Sequence, residues 1–166
     1  MEEQTTISAK DKLFKIDTIL DEYEKSVGLP ACKSPGTEDE LNKYFLMNRK
    51  EIESLTPEDC SEISVRLMQF GFYLQRLCNR EKSRIIWVKQ KLIEYIAKQL
   101  NSYDKFTKYD IKVALIIKED NYAYDLQQIL TYAEQRFTRL ELLSLNIKNL
   151  SDVISSVKIS KIYMIK

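Results

Sequence analysis

The chain has 166 residues, 44% of them hydrophobic and 31% charged, with a formal net charge of +1. That is the size of one domain with a buried core, and it excludes both a disordered polyelectrolyte and an apolar membrane protein. Histidine is absent and the three cysteines are scattered, which removes the usual general base near neutral pH, the commonest zinc ligand and a disulfide framework.

With only three glycines and three prolines, the turns that many short strands need are missing, and long helices are the expectation. No apolar run approaches the roughly 18–20 residues of a membrane span. The opening MEEQTTISAKDK is acidic and polar, the opposite of a secretory signal. A reducing cytoplasm is the expected setting, with Cys32, Cys60 and Cys78 as reduced, buried thiols.

Residues 9–27 place Leu13, Ile16, Ile19, Leu20 and Tyr23 on one side of a helix, with charges elsewhere. Gly28 is a natural stop, and GLPACKSPG is the most loop-like segment. It divides an acidic N-terminal helix and loop, residues 1–36, from a helical hairpin domain, residues 37–166. Thr37-Glu38-Asp39-Glu40 reads as a capping box that starts a short helix holding Leu41, Tyr44 and Phe45. Its carboxylates suit a helix start better than a metal site.

Thr56-Pro57-Glu58-Asp59 repeats the signal with proline at the first helical position. From there to about Asn101, Leu67, Phe70, Leu74, Leu77, Val88, Leu92 and Tyr95 alternate at three and four residues, interrupted by Glu81 on the apolar side. A helix of about 45 residues is roughly 65 Å long, more than a compact globule of this mass spans. NSYDKFTKYD breaks the pattern, and Thr107 and Asp110 are candidate caps for a second long helix, apolar from Tyr122 to Val157. The tail ISKIYMIK either frays or extends that helix. The expected fold class is all-α, a long antiparallel helical hairpin of bundle or coiled-coil character with shorter N-terminal helices. Apolar surface left over on a two-helix seam favours a homo-oligomer.

Charge is uneven: residues 1–62 carry a net −7, residues 63–118 a net +8, and the remainder is balanced. In QRLCNREKSRIIWVKQKL, Gln75–Leu92, six cations face one glutamate around the only tryptophan. At about 100° per residue, Arg76, Arg80, Arg84, Trp87, Lys91 and Lys98 share a sector about 80° wide, while Lys82 and Lys89 point away from it. Cations in line with aromatic rings between them suit a sugar-phosphate strand, bound without base readout. The same strip also fits a solvated helix face whose arginine stems cover an apolar ridge, or a dock for an acidic protein surface, the chain's own N-terminal part included. No catalytic motif, phosphate cradle or cofactor site accompanies it.

The span from Tyr73 to about Leu150, with its Tyr73-Leu74 step, the basic NREKSRIIWVKQKL and a second helix carrying YAEQRFTRLELLSLNIKNL, resembles the recombination mediator proteins of T4-type bacteriophages. The resemblance implies a cytoplasmic oligomer (in the host cytoplasm, for a viral chain) that binds single-stranded DNA and helps load a RecA-type recombinase. It puts Arg76, Arg80, Lys82, Arg84, Lys89 and Lys91 in the matching basic stretch; Trp87 and Lys98 come from the helix face. The competing expectation is a helical structural or assembly module that binds no nucleic acid.

Overall fold

The computed structural model describes residues 8–164, so the acidic start MEEQTTI and the last two residues lie outside the described part. Among the described residues there are six α-helices and no strand: α1 (Ala9–Ser26), α2 (Glu38–Phe45), α3 (Arg49–Ser54), α4 (Pro57–Gln99), α5 (Tyr109–Glu119) and α6 (Asn121–Met164), with a 3₁₀ turn at Leu100–Ser102. The protein is an all-α helical bundle, as its composition implies.

Local chemistry sets the boundaries. Ser8 caps α1 by accepting the Asp11 amide at 3.1 Å. At the other end Gly28 takes φ +79°, its amide donating to Lys25 O and that of Leu29 to Glu24 O. This is the two-bond closure that a left-handed residue after a helix permits, and glycine adopts it without a Cβ penalty. Thr37 caps α2 through the Glu40 amide. The Glu40 carboxylate does not complete the expected box; it accepts the Tyr44 hydroxyl and pairs with Arg66. A full box stands instead between Asn48 and Glu51 at the start of α3, a helix that the apolar spacing does not predict.

Thr56 and Asp59 exchange amide bonds at 3.1 Å each way and open α4 with Pro57 behind the cap. This helix then runs 43 residues without interruption, through Gly71 and Glu81. The second long helix is not continuous. Asp120, at φ −109° and ψ 118°, ends α5, and its Oδ1 accepts the Ala123 amide to begin α6. Nor does Thr107 cap α5: Lys108 holds that position without a side-chain bond. The tail continues α6 as far as Met164.

The chain forms two compact units, residues 8–31 with 79–137 and residues 32–78 with 138–164. Both long helices contribute to both units, and within each unit they run antiparallel. The first unit is built on Val88, Leu92 and Ile96 of α4 against Ala123, Leu126, Ile129 and Leu130 of α6, closed by Ile116 and Ala9. The second joins Leu67, Phe70 and Leu74 to Ile147 and Ile154, with Tyr44 and Cys60 completing it. In that second unit serines bring α4 and α6 together: Ser64 Oγ donates to Ser151 O and Ser151 Oγ to Ser64 O, both side chains buried. Lys161 reaches from α6 to the carbonyls of Glu53 and Leu55 at the end of α3, where a cation favours the negative helix terminus.

Two apolar assignments change. Leu13, Ile16 and Leu20 of α1 are half-buried, but Ile19 and Tyr23 are exposed. Cys60 and Cys78 are buried, as expected of reduced thiols, whereas Cys32 is half-buried.

Candidate nucleic-acid interface

Seven of the eight sequence-derived site residues, Arg80, Lys82, Arg84, Trp87, Lys89, Lys91 and Lys98, belong to the first unit; Arg76, half-buried, belongs to the second. Within the first unit they sort by what each one meets.

Arg80 and Arg84 face α1. The Arg80 guanidinium donates from Nη2 to Asp21 and, at 3.1 Å, to Glu24 Oε2. Arg84 takes Asp17 in a two-pronged grip, Nε to Oδ1 at 3.1 Å and Nη2 to Oδ2 at 2.7 Å. Its third nitrogen, Nη1, donates to Glu81 Oε1 at 2.5 Å. The bond to Asp17 raises the Arg84 pKa above its ordinary value, against the opposing effect of burial and with help from the Glu81 charge. Both arginine side chains are about three-quarters covered.

Asp17, Asp21 and Glu24 recur at i, i+4 and i+7, so one face of α1 is a row of carboxylates. On the adjoining flank Ala9 is buried and Leu13 packs against the core of the unit. Lys12 steadies the same helix by donating to the Tyr122 hydroxyl at 3.1 Å, its ammonium 4.7 Å from that ring's centroid. The hydrophobic contacts set where α1 lies, and the carboxylate row then meets the two arginines. Exposed ion pairs contribute only ~0–1 kcal/mol each; the planar two-pronged Arg84–Asp17 pair is the strongest of this set.

Glu81 explains the interruption in the apolar pattern. It is buried, and its second oxygen accepts Arg136 Nη2 from α6 at 3.0 Å. A carboxylate on the apolar side of α4 is tolerated because two guanidiniums satisfy it.

The remaining cations are more open. Lys91 pairs with Glu94 at 2.7 Å, a bond that, ahead of the one from Gln90, lowers the Glu94 pKa. Lys98 and Lys82 are exposed, and Lys89 pairs with Glu134 at 2.8 Å. Trp87 is half-buried and packs against the hydrophobic core of the unit, which makes it an edge residue with one side committed to packing.

Docking of the acidic N-terminal part on the basic strip is one of the arrangements the charge split offers; the individual carboxylates that meet Arg80 and Arg84 are visible only in the structure. The acidic spacing of Asp17, Asp21 and Glu24 was the available signal; Arg136, far along the chain, carried none. Among the described residues no cluster of three Cys, Asp or Glu side chains is placed to hold a metal ion. Among them, too, no helix is long and apolar enough to cross a membrane. No family model matches this chain, and no curated protein or solved structure is significantly similar to it.

Proposed function

We propose that the protein is a non-catalytic accessory protein of recombination or repair that binds single-stranded DNA along the α4 edge formed by Arg80, Arg84, Lys91 and Lys98. The observation that supports this is the occupant of that edge: Arg80 and Arg84 hold a row of three carboxylates supplied by α1. A surface that accommodates anions in line on a helix has the chemistry for consecutive phosphates, where guanidinium groups bind bidentately and release counterions. Recognition is sequence-tolerant, because no base-reading element accompanies the cations. A role in loading a RecA-type recombinase, in the cytoplasm, follows from the resemblance to T4-type mediators alone.

The test is a salt titration of binding to labelled single-stranded DNA, with duplex DNA and RNA in parallel. Preference for the single strand, weakened by Arg80→Gln with Arg84→Gln, is the expected result. No binding by any probe at low salt removes the reading.

A second reading, a helical assembly module that forms homo-oligomers, draws on a different observation. In the second unit Val65, Met68 and Phe72 of α4 are each more than half exposed, spaced by three and four residues, as on a helix face that packs against another helix. Mass measurement in solution tests it: a defined oligomer that dissociates on Phe72→Ser supports assembly, and a monomer at all concentrations excludes it.

A further inference from the structure

We infer that α1 is an internal competitor for the DNA-binding edge, an acidic helix that occupies Arg80 and Arg84 until a strand of phosphates displaces it. The inference rests on the DNA-binding reading above and adds its regulation. Asp17, Asp21 and Glu24 set three anions along about 10 Å of helix, and Arg80 and Arg84 are where they end. One site thus has an intramolecular occupant with the charge pattern of its ligand.

Three features make the occupant displaceable. α1 keeps Phe14, Ile19 and Tyr23 exposed, so its hold on the unit is narrow. It is followed by the loop from Val27 to Thr37, in which Gly28 supplies the turn. Asp21 is 56% exposed, within reach of water and salt.

Glu81 gives the exchange its direction. It grips Arg84 through Nη1, while Nε and Nη2 point at Asp17. When Asp17 leaves, Glu81 still orients the guanidinium, and the two vacated donors form a planar fork of the geometry that phosphate takes. Glu81 is a positioning residue, itself fixed by Arg136.

Two measurements on the full chain decide the matter. The first compares wild type with Asp17→Asn/Asp21→Asn/Glu24→Gln for binding to a short oligothymidylate over a range of salt. Removing the competitor is expected to tighten binding about tenfold at low salt. It should also steepen the salt dependence by about 1.4, roughly 0.7 for each guanidinium opened to phosphate. The second is amide exchange of residues 9–26 in the wild type, which needs no substitution: adding oligothymidylate at constant ionic strength should strip α1 of protection. Equal binding by both proteins, with α1 still protected in the complex, overturns the competitor role and leaves DNA binding standing. Failure of both proteins to bind removes both readings. If polyglutamate strips α1 as efficiently as oligothymidylate does, the occupant is an acidic protein segment and the nucleic-acid form of the inference is wrong.

Discussion

The hydroxyl of Tyr95 donates to Asp120 Oδ2 at 2.6 Å while Oδ1 of the same carboxylate accepts the Ala123 amide at 2.9 Å. One residue therefore ends α5 through its backbone and, through its carboxylate, starts α6 and ties that junction to α4. Asp120→Ala removes a helix cap and leaves the half-buried Tyr95 hydroxyl without its acceptor, so a loss of about 1–3 kcal/mol is expected. Tyr95→Phe removes only the one bond, at about 1 kcal/mol. Urea unfolding of both variants checks the order; an Asp120→Ala protein as stable as wild type contradicts the capping role.

Close approach of α4 and α6 in the second unit depends on Ser64 and Ser151, each buried and each donating to the other's carbonyl. Ser64→Leu forces a large side chain into that contact and should cost at least about 1–3 kcal/mol through overpacking. Ser64→Ala keeps the small volume and loses one hydroxyl, for about 1 kcal/mol. Thermal unfolding that ranks the leucine variant above the alanine variant would show that space is not limiting there.

Stability should fall on both sides of neutrality, for different groups. The hydroxyls of Tyr44 and Tyr103, by burial and then their carboxylate partners, and of Tyr95, by its bond to Asp120 and then burial, sit above the ordinary tyrosine pKa. A raised folded pKa means the native state holds the proton more tightly. That contribution is complete below the unfolded value near 10 and is lost as pH rises through the folded one. Asp59, lowered by the Thr56 hydroxyl and then its amide, and Glu94, lowered by Lys91 and then Gln90, behave oppositely. Their contributions are present above about pH 4 and are lost as pH falls through the depressed values. Melting temperature against pH should show both flanks, and Tyr95→Phe should soften the alkaline one; an unchanged alkaline slope in that variant counts against the assignment.

Much of this was legible in the chain, for identifiable reasons. Thr56 and Pro57 announced the start of α4, and apolar spacing carried it through Gly71 because one glycine costs a long packed helix little. Glu81 stood out as a charge in the wrong place, which is how a satisfied buried carboxylate looks before its partners are known. The break at Asp120 was invisible, since an aspartate between Glu119 and Asn121 is as ordinary on a helix surface as at a cap. The charge split between residues 1–62 and 63–118 offered docking of the acidic part on the basic strip as one arrangement, but which carboxylates meet Arg80 and Arg84 was hidden for another reason. Helical periodicity reports which residues share a face, whereas these bonds join positions 56 to 67 residues apart, and that depends on how α1 packs.

The most informative single substitution is Glu81→Gln, because it separates folding from anion binding. Its carboxylate is buried and answers two guanidiniums, Arg84 at 2.5 Å and Arg136 at 3.0 Å. An amide of the same shape keeps an acceptor oxygen for one arginine and turns an N–H toward the other. The cost should be about 1–3 kcal/mol, less than for a fully enclosed pair because Arg136 remains half exposed. If Glu81 also orients Arg84, affinity for single-stranded DNA should drop even though the substitution removes a negative charge from the cationic edge. A purely electrostatic view predicts the opposite sign. Measuring stability and binding on the same preparation distinguishes them, and tighter binding by Glu81→Gln would eliminate the orienting role.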